Sequence, residues 1–454
     1  MAKVKVEFFC SNCGHNAPKW MGKCPSCGEW NTFTEEVVKK PTQLEQRESE
    51  WKMGKVKAYP IAIGDVQSGN TTRRDTKNQE FNRVLGGGIV PGSVILLGGQ
   101  PGIGKSTLLL QIALTFGGKI LYVSGEESEE QIKLRADRLA FKNDACFLYT
   151  ETNISEILAQ TGKLQPDLLI IDSIQTVVSS YIDSPAGSIS QVKECTGELQ
   201  RFAKETGIPI IIIGHITKEG SIAGPKLLEH IVDVVVQFEG DSNNIFRILR
   251  TIKNRFGSTD ELGIYQMSSN GLEEVPNPSE RLMENHQDEI SGTAIAAVVE
   301  GQRPIYIETQ ALVTNCVFGT PQRSANGYDY KRMSMILAVL EKRCKLPFGS
   351  KDVYLNIVGG LKIVDPGIDL AIVAALISSL QDISIGRKIA FAAEIGLTGE
   401  IRSVPRIEQR ILEADRLGFE DMYVAASSKL GNIKTGVRIH KLSRLEELFE
   451  RIFG

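Results

Sequence analysis

The sequence predicts an α/β protein with three folded parts: a small metal clip, a central domain around a parallel sheet, and a second α/β domain. Three observations support this prediction. Four cysteines fall in two closely spaced pairs before residue 28. A glycine-rich loop joins a β-branched strand to a helical pattern near residue 100. Apolar, strand-like runs then alternate with amphipathic stretches along the chain.

Composition limits the classes of function that the chain can serve. Its 454 residues allow two or three domains, and 42% hydrophobic with 24% charged residues is ordinary for a globular protein. The net charge of −3 means that a polyanionic partner must be held by local basic patches. The opening "MAKVKVEFFC" lacks the apolar run of a signal peptide, and no run reaches the ~18 residues of a membrane helix. With the other four cysteines scattered singly, we expect a cytoplasmic protein without a membrane partner.

The first folded part is "CSNCGHNAPKWMGKCPSCGEW". Cys10 and Cys13 form one C-x2-C pair and Cys24 and Cys27 form the other, with ten residues between the pairs. Four thiolates complete a tetrahedral Zn²⁺ shell, so we predict a structural zinc site whose binding energy folds this short segment. Two redox C-x-x-C motifs are the alternative, but neither pair stands at a strand-to-helix junction. His15 is close enough in sequence to compete as a ligand.

Aromatic and basic residues are intermixed within the same segment, where Trp20 and Trp30 stand among Lys19 and Lys23. This mixture is typical of a nucleic-acid surface, and equally of aromatic rings packed on a metal site. The sequence leaves both interpretations open. Residues 34–60 are polar and charged, and we predict that they form a linker or docking arm.

The central domain opens with "VILLGGQPGIGKSTLLLQIALTF". A β-branched strand runs into the pattern G-x4-G-K-S and a helical pattern follows, which is the context that a phosphate-binding loop requires. Its glycines bring backbone N–H groups onto the phosphates, and the helix N-terminus adds its dipole. We predict that Lys105 reaches the β- and γ-phosphates of ATP and that Ser106 ligates Mg²⁺. The predicted nucleotide-binding residues are Gly99, Gln100, Pro101, Gly102, Ile103, Gly104, Lys105, Ser106 and Thr107.

Further apolar runs predict the other strands of a parallel sheet covered on both faces: 119–125, 146–150, 168–172, 209–216 and 232–238. Asp172 ends one of these runs, where an isolated carboxylate would be costly, so we assign it to Mg²⁺. Glu126 and Glu127 follow the neighbouring strand. One of them, with Glu127 slightly favoured, is predicted to be the general base, and an acidic pair at a helix N-terminus is the alternative. His215 ends another strand and is predicted to sense the γ-phosphate rather than merely cap the strand.

Two loops rich in Gly, Ser and Pro follow Asp172 and His215 on the side where the nucleotide would bind. Loops in such positions can change their order with nucleotide state. We therefore expect them to contact a polymer that passes the domain, with Lys218 and Lys226 on its phosphates. Ordinary surface loops are the alternative.

Taken together, the four-Cys clip, the phosphate loop and the stretch "KNRFG" resemble the bacterial RadA (Sms) DNA-repair proteins across essentially the whole chain. The resemblance implies a RecA-like ATPase that forms hexameric rings, binds single-stranded DNA and drives branch migration of recombination intermediates. It also implies branched DNA as a substrate, and it is compatible with recombinase or replication proteins as partners.

Lys253 and Arg255 belong to "KNRFG", which follows a strand-like run. In a RecA-like ring, a cation at the sheet edge can reach the γ-phosphate that the next subunit binds. We therefore predict that this pair acts on the neighbour's ATP. DNA in the channel is one alternative, and a plain turn between two antiparallel strands, which would leave both cations without a partner, is the other.

The last part of the chain resembles the peptidase domain of the Lon proteases, as the family implies. Lon peptidases use a Ser–Lys dyad, and the resemblance puts Gly367 at the Ser position and Glu408 at the Lys position. Glycine offers no nucleophile and glutamate no amine base, so we expect an inactive peptidase fold that serves as a ring-forming and DNA-contacting scaffold. A basic cluster around one helix either faces DNA or is a solvated face: Lys331, Arg332, Lys342, Arg343, Lys345 and Lys351.

These observations predict four segments and one principal function. The segments are a four-Cys zinc finger at 1–33, a linker at 34–60, a RecA-like ATPase domain at 61–275 and a Lon-protease-like domain at 285–454. The function is that of a DNA-dependent ATPase, a helicase-like motor that uses ATP, Mg²⁺ and Zn²⁺. The alternatives are a nucleotide-gated binding or signalling ring without translocation, and an ATP-dependent protease, against which the missing dyad argues.

Overall fold

The computed structural model describes residues 5–38, 60, 62–65, 72–139, 141–215, 225–240, 246–283, 290–316, 319–359 and 362–454. The chain folds as two compact units. The first comprises residues 1–240 with 247–274, and the second comprises 241–246 with 275–454. Within the described residues, no helix combines the length and the apolar character needed to cross a membrane.

A small antiparallel sheet stands at the start of the first unit. Its strands are β1 Lys5–Cys10, β2 Asn16–Ala17 and β3 Phe33–Val38, in the order β2-β1-β3. β1 pairs with β3 along its whole length. β3 therefore continues past residue 33, where the sequence predicts the clip to end, because β1 offers hydrogen-bonding partners as far as Val38.

A nine-stranded sheet organises the rest of the first unit. Its strands are β4 Val94–Gly99, β5 Ile120–Ser124, β6 Cys146–Thr150, β7 Leu168–Asp172, β8 Ile210–His215, β9 Val234–Gly240, β10 Phe246–Asn254, β11 Leu262–Ser268 and β12 Gly271–Glu274. Their order is β12-β11-β10-β9-β4-β8-β7-β5-β6. The strands from β9 to β6 pair in parallel, whereas β10 pairs with β9 antiparallel.

Two hydrophobic cores cover the two faces of this sheet. Alternate residues of β4 belong to different cores, with Ile95 and Leu97 in one and Val94 and Leu96 in the other. A strand buried on both faces needs such a continuous apolar run, as the sequence predicts for this sheet. The helices of this unit are α1 Gln79–Val84, α2 Lys105–Thr115, α3 Glu129–Leu139, α4 Ile154–Leu164, α5 Ile189–Thr206 and α6 Pro225–Ile231.

The register of the strands brings several predicted site residues to one edge of the sheet. Gly99, at the end of β4, pairs with His215 on one side and Phe238 on the other. Ser124, at the end of β5, pairs with Asp172 at the end of β7. Parallel α/β sheets bind ligands beyond the carboxyl ends of their strands, so this edge is where a nucleotide is expected.

A seven-stranded mixed sheet forms the core of the second unit. Its strands are β13 Thr293–Glu300, β14 Arg303–Asn315, β15 Arg323–Asn326, β16 Lys351–Ile357, β17 Ile389–Ala392, β20 Asp421–Ala425 and β21 Arg438–Leu442, with the small pair β18 Glu394–Ile395 and β19 Ile401–Arg402 beside them in the chain. The order is β15-β16-β14-β13-β17-β20-β21. The helices are α7 Pro278–Leu282, α8 Tyr330–Cys344, α9 Asp369–Gln381, α10 Ile407–Arg416 and α11 Leu445–Ile452. α9 is buried from Asp369 to Ser378 because its sequence between these two residues is apolar on every side.

Candidate functional site

The loop between β4 and α2 has the geometry that phosphate binding requires. Gly102 and Gly104 have φ angles of 74° and 115°, in the left-handed region that suits glycine. A Cβ on Gly99 would lie 2.7 Å from the carbonyl oxygen of Phe238, so the pairing of β4 with β9 leaves no room for a side chain there. The backbone itself therefore forms the cradle, and α2 begins directly behind it at Lys105.

Lys105 is held inside this loop. The residue is 4% exposed, and its Nζ donates 2.9 Å hydrogen bonds to the carbonyl oxygens of Gly99 and Gln100. Burial lowers the pKa of Lys105 to about 8, and the charges of Asp172 and Glu126 oppose part of this shift. The phosphates of a nucleotide would supply further negative charge beside this buried ammonium and would favour its protonated form. The loop therefore fits the phosphate groups of a nucleotide.

Asp172 is fixed at the end of β7. It is buried, and its Oδ2 accepts a 2.7 Å hydrogen bond from the hydroxyl of Tyr122 on β5. Burial, together with the neighbouring carboxylate, raises the pKa of Tyr122 well above its usual range, so the phenol remains a donor. A carboxylate and the hydroxyl of Ser106 are oxygen ligands of the kind that Mg²⁺ prefers, so these residues fit that ion.

The two glutamates that follow β5 have different partners. Glu126 is exposed, and its Oε1 accepts a 2.6 Å hydrogen bond from the hydroxyl of Ser173. Glu127 instead forms an ion pair through Oε1 with Arg135 of α3. Glu126 also acts electrostatically on Lys105. The structure thus places Glu126 near the lysine of the phosphate loop and ties Glu127 to the following helix.

One buried side chain contacts several carbonyl groups of the loop after β7. Gln191, in α5, donates from Nε2 to the carbonyl oxygens of Ser179, Ile182 and Ser184, at 3.2, 2.8 and 3.0 Å. This segment is therefore ordered, and its contact with a polymer stays a prediction. Three other predicted contacts fall outside the described residues: Lys218, and the side chains of His215 and Lys226.

The stretch "KNRFG" lies at the amino ends of the parallel strands, whereas the phosphate loop lies at their carboxyl ends. Asn254 pairs with Val234 at the start of β9, and Val234 also pairs with Ile95 near the start of β4. β4 must run on to Gly99 before the phosphate loop begins, a distance of roughly 13 Å at the usual rise of a strand. The two cations of this stretch are therefore far from the phosphates that their own subunit would bind.

Both cations have partners at the end of α6. Lys253 donates from Nζ to the carbonyl oxygens of Glu229 and Val232, the latter at 2.9 Å. Burial and the charge of Arg255 lower the pKa of Lys253. Arg255 lies 3.4 Å from Oδ1 of Asp233 through its NH1 atom. Cations stabilise the carbonyl end of a helix. Both cations therefore have partners in this turn, whereas the plain-turn alternative predicts that they have none.

Asp233 ties this turn to the sheet. It is 1% exposed at its side chain and accepts hydrogen bonds from the backbone N–H of Val94 at 3.0 Å and from Nζ of Lys204 at 2.8 Å. The same ammonium lies 5.8 Å from the ring centroid of Phe256. The side chain of Arg255 nevertheless remains 48% exposed, so its guanidinium is accessible at the surface of the described chain.

The four cysteines of the N-terminal segment come together. Their Sγ atoms all lie within 4.8 Å of one another, with 3.6 Å between Cys10 and Cys27 and 3.5 Å between Cys13 and Cys24. Ligands at the ~2.3 Å of a Zn–S bond stand about 3.8 Å apart in a tetrahedron, so the cluster fits a zinc ion. His15 packs edge-on against an aromatic ring, 6.4 Å between centroids, and is not part of this cluster.

Purified protein is expected to contain about one zinc ion per chain, and Cys24→Ala protein much less, because three thiolates leave the tetrahedral shell incomplete. Elemental analysis by mass spectrometry measures both. Cys146→Ala is the matched control, since Cys146 lies in β6 and outside the cluster. Zinc-free wild-type protein, or full zinc in the Cys24→Ala variant, would contradict the site.

The basic cluster around α8 is not uniformly available to a partner. Arg332 forms ion pairs with the buried Asp369 and with Glu394. Lys351 donates from Nζ to Oδ1 of Asn315 at 2.6 Å. Arg332 therefore serves the packing of the second unit, whereas Lys351 has a partner at the surface. The other members of the predicted cluster are exposed: Lys331, Lys342, Arg343 and Lys345.

The position that the resemblance assigns to a peptidase serine is sterically closed. A Cβ on Gly367 would lie 2.6 Å from NH1 of Arg410. Arg410 has a 1% exposed side chain and forms an ion pair with Asp365 at 2.7 Å. Glu408, at the assigned lysine position, accepts a 2.6 Å hydrogen bond from the backbone N–H of Gly431. A buried ion pair thus fills the space in which a serine side chain would have to stand.

Sequence reasoning missed several partners that define these sites. Tyr122 and Arg410 stand in stretches that read as ordinary core and ordinary amphipathic helix, and nothing local marks them. Ser173 directly follows Asp172, so its position beside a predicted metal ligand was a usable signal. Asp233 interrupts the apolar run "VDVVVQF", which is the same signal that identified Asp172.

Three family models match separate parts of the chain. A model of the AAA domain matches residues 65–221. A model described as a rubredoxin metal binding domain matches residues 8–35, which include all four cysteines. A model of the Lon protease (S16) C-terminal proteolytic domain matches residues 342–453. These matches confirm the predicted fold class, with its P-loop core, four-Cys zinc ribbon and Lon-like domain.

Curated relatives match over the full length of the chain. Proteins called "DNA repair protein RadA" from Bacillus subtilis (strain 168) and from Streptococcus pyogenes serotype M6 are each 48% identical to it, over 100% of both chains. The protein of the same name from Halalkalibacterium halodurans is 45% identical, also over 100% of both chains. A solved KaiC-like protein from Pyrococcus horikoshii is 19% identical and covers 45% of this chain and 100% of its own, with a TM-score of 0.38.

Proposed function

This chain belongs to the RadA family of DNA repair proteins, and on that basis we propose that it is a DNA-dependent ATPase that acts in recombinational repair. It binds single-stranded DNA and promotes branch migration of recombination intermediates as a ring, with six subunits, in the cytoplasm. The observation that carries the ATPase part is the convergence of the phosphate loop, Asp172 and the glutamates after β5 on one edge of the sheet. Recombinase or replication proteins are its partners in this proposal.

Each residue of that edge has a distinct role in the proposed hydrolysis. The backbone of residues 99–107 and the ammonium of Lys105 bind the phosphates, and the buried lysine offsets their charge. Ser106 and Asp172 would hold Mg²⁺, which when bound neutralises charge that develops on the phosphate oxygens. Tyr122 keeps the Asp172 carboxylate in one orientation through its hydroxyl. His215 senses the γ-phosphate from the end of β8.

Glu126 is the better placed general base of the two glutamates. Its carboxylate is exposed and close enough to Lys105 to act on its charge. Ser173 donates to one of its oxygens, which holds the side chain toward the end of β7. Glu127 forms an ion pair with Arg135, so its carboxylate orients α3 rather than a water molecule. The sequence slightly favours Glu127 as the base, whereas these contacts favour Glu126.

Of the two cations of "KNRFG", Arg255 is the one that acts on a phosphate of another molecule. Their distance from the phosphate loop of their own subunit excludes a role on their own nucleotide. We assign Arg255 to the ATP of the neighbouring subunit, since its guanidinium stays half exposed although Asp233 anchors it. Lys253 is more occupied and supports the turn from the carbonyl end of α6. DNA in a central channel is the alternative target.

The Lon-like domain is an inactive scaffold in this proposal. The side chain of Arg410 and its ion pair with Asp365 occupy the space beside Gly367, so even a serine there would lack room. Exposed lysines and arginine along α8 remain available for DNA phosphates. Arg332 is excluded from that surface because it pairs with Asp369.

Lys105→Ala is expected to slow DNA-stimulated ATP hydrolysis by about 10²- to 10³-fold, because it removes a preorganised charge from the phosphates. The variant should keep some single-stranded DNA binding but lose strand displacement on a branched substrate. Hydrolysis is followed by phosphate release with and without DNA, and displacement by gel. Lys133→Ala is the matched control, since Lys133 is an exposed lysine of α3 paired with Asp137.

The outcomes of this experiment separate three classes of function. Strand displacement that is equal in wild type and Lys105→Ala protein would contradict the proposed motor function. ATP hydrolysis that DNA stimulates, without any displacement by wild type, would favour a nucleotide-gated binding ring. Cleavage of fluorescent casein by the same preparations would contradict the inactive peptidase domain.

A further inference from the structure

Two tryptophans on the zinc ribbon are exposed to solvent. Trp20 is 53% exposed and Trp30 is 66% exposed. Both rings border Gly22, because a Cβ on that residue would lie 3.8 Å from Cη2 of Trp20 and 3.8 Å from Cζ3 of Trp30. The smallest residue therefore separates two large aromatic surfaces that lie close together and face water.

The metal cluster anchors the hairpin that carries Trp30. The backbone N–H of Asn31 donates to the carbonyl oxygen of Gly22 at 2.8 Å, and Lys23 forms a β-bridge with Trp30. Next along the chain, the N–H of Cys24 donates to the carbonyl oxygen of Glu29 at 2.9 Å. Since Cys24 belongs to the metal cluster, the hairpin that carries Trp30 is anchored directly at the metal site.

The tryptophans do not form the core of the ribbon. Its buried cluster consists of Cys10, Ala17, Cys24 and Phe33. Trp20 and Trp30 are not members of that cluster, so packing on the metal site leaves their exposed ring surface without an explanation. Exposed aromatic surface of this size is unfavourable in water and indicates that something covers it.

Positive charge accompanies the two rings. The ammonium of Lys23 lies 5.6 Å from the ring centroid of Trp30, and both Lys19 and Lys23 are exposed. Two aromatic faces with neighbouring cations match unpaired nucleotides, whose bases stack while their phosphates meet the lysines. A protein partner would more often use a continuous apolar patch, whereas this surface includes the exposed polar residue Asn31, whose backbone is bonded to Gly22 beside both rings.

We infer that Trp20 and Trp30 stack on the bases of single-stranded DNA, with Lys19 and Lys23 on the phosphates beside them. The zinc ribbon is then a single-strand contact of its own, separate from the ATPase edge. This inference rests on the proposed function, because it names the surface by which the ribbon takes part in DNA binding. Duplex DNA is not recognised in this way, since its bases are already stacked on each other.

The test uses the full-length, zinc-loaded protein with a non-hydrolysable ATP analogue. Fluorescence anisotropy measures the affinity for a labelled oligo-dT strand and for a labelled duplex over a range of salt concentrations. Trp20→Ala and Trp30→Ala are each expected to lower single-strand affinity about 5- to 100-fold, from the usual contribution of one base–aromatic stack. Trp30→Phe, which keeps a ring, should recover most of the affinity, and the duplex affinity should change less than about twofold.

Salt dependence separates stacking from charge. Lys23→Gln should reduce the salt slope of single-strand binding by about 0.7, whereas the Trp→Ala variants should leave that slope unchanged. Leu134→Ala, which truncates a side chain that is 67% exposed on α3, is the matched control and should bind as wild type does. Zinc analysis of every variant identifies any that has lost the ribbon fold.

Each outcome decides the inference. Single-strand affinity that is equal in wild type and the double Trp variant would overturn it and assign the two rings to a protein partner. Equal losses for single strand and duplex, or no rescue by Phe, would also overturn it, because they indicate a structural defect. Wild-type protein that fails to bind any DNA would overturn the proposed function itself, which is a different result from the first two.

Discussion

Glu126→Gln protein is expected to hydrolyse ATP about 10²- to 10⁴-fold more slowly than wild type, with or without DNA, because the amide cannot accept a proton from the attacking water. Nucleotide binding should remain, since the phosphate loop and Lys105 are unchanged. The loss should therefore fall on kcat, with little effect on the Kd for a fluorescent ATP analogue. Steady-state phosphate release and equilibrium titration measure the two quantities separately.

Glu127→Gln is the matched control, because it makes the same chemical change one residue away. Its main expected effect is the loss of the ion pair with Arg135, which is partly exposed and so contributes little to stability. We expect hydrolysis within about tenfold of wild type, against the far larger loss for Glu126. If Glu127→Gln were the slower enzyme of the two, the assignment of the base to Glu126 would be wrong.

The case of these two glutamates illustrates what the sequence can and cannot predict. The strand "KILYVSG" and the pattern that follows it locate both carboxylates at the nucleotide edge, since the ends of parallel strands meet there. The choice between the two depends on Ser173, which follows the end of β7, and on the position of Arg135 along α3. The position of Ser173 next to Asp172 indicates that it lies at the same edge, but the sequence does not show which glutamate each partner binds.

In the second unit, too, the sequence predicts the main elements but not the residue that closes the site. Its main strands and helices follow from their apolar periodicity, and the family resemblance identifies Gly367 and Glu408 as replacements for a catalytic dyad. The residue that closes the site, Arg410, is one of several charged residues in "RIEQRILEADR". An arginine on an amphipathic helix ordinarily faces water, and only the position of Asp365 in the fold explains why this one is buried.

The position of the turn at "KNRFG" within the sheet could not be predicted from the sequence either. The sequence predicts correctly that two strands flank it, but not on which edge of the sheet it lies. That edge follows from the antiparallel pairing of β10 with β9, which returns the chain to the amino ends of the parallel strands. The partners at the carbonyl end of α6 depend on the same reversal.

Arg255→Ala is expected to reduce ATP hydrolysis by about 10³-fold or more if its guanidinium reaches the γ-phosphate of a neighbouring subunit. The effect on folding should be small. Arg255 is about half exposed, and Asp233 keeps Lys204 and the backbone of Val94 as partners, so we expect a stability loss of about 0–1 kcal/mol. Thermal unfolding therefore distinguishes a catalytic role from a purely structural turn.

Mixing of two inactive variants tests whether the action occurs in trans. Lys105→Ala subunits have a defective phosphate loop but an intact Arg255, and Arg255→Ala subunits have the reverse. In a ring with heterologous interfaces, random 1:1 mixing creates a complete site at about a quarter of the interfaces. Basal hydrolysis, measured without DNA, should therefore recover in the mixture although each variant alone is inactive.

Arg250→Ala is the matched control for this experiment. Arg250 lies on β10, the strand that precedes Arg255, and stands 3.7 Å from Glu239, so its removal should cost little activity and require no rescue. An absence of rescue at every mixing ratio, together with normal ring assembly, would exclude an arginine that acts on the neighbour's nucleotide. A cation that faces ATP is needed for basal hydrolysis as well as for DNA-stimulated hydrolysis. If Arg255→Ala lowered only the DNA-stimulated rate, the phosphate that Arg255 contacts would therefore belong to DNA.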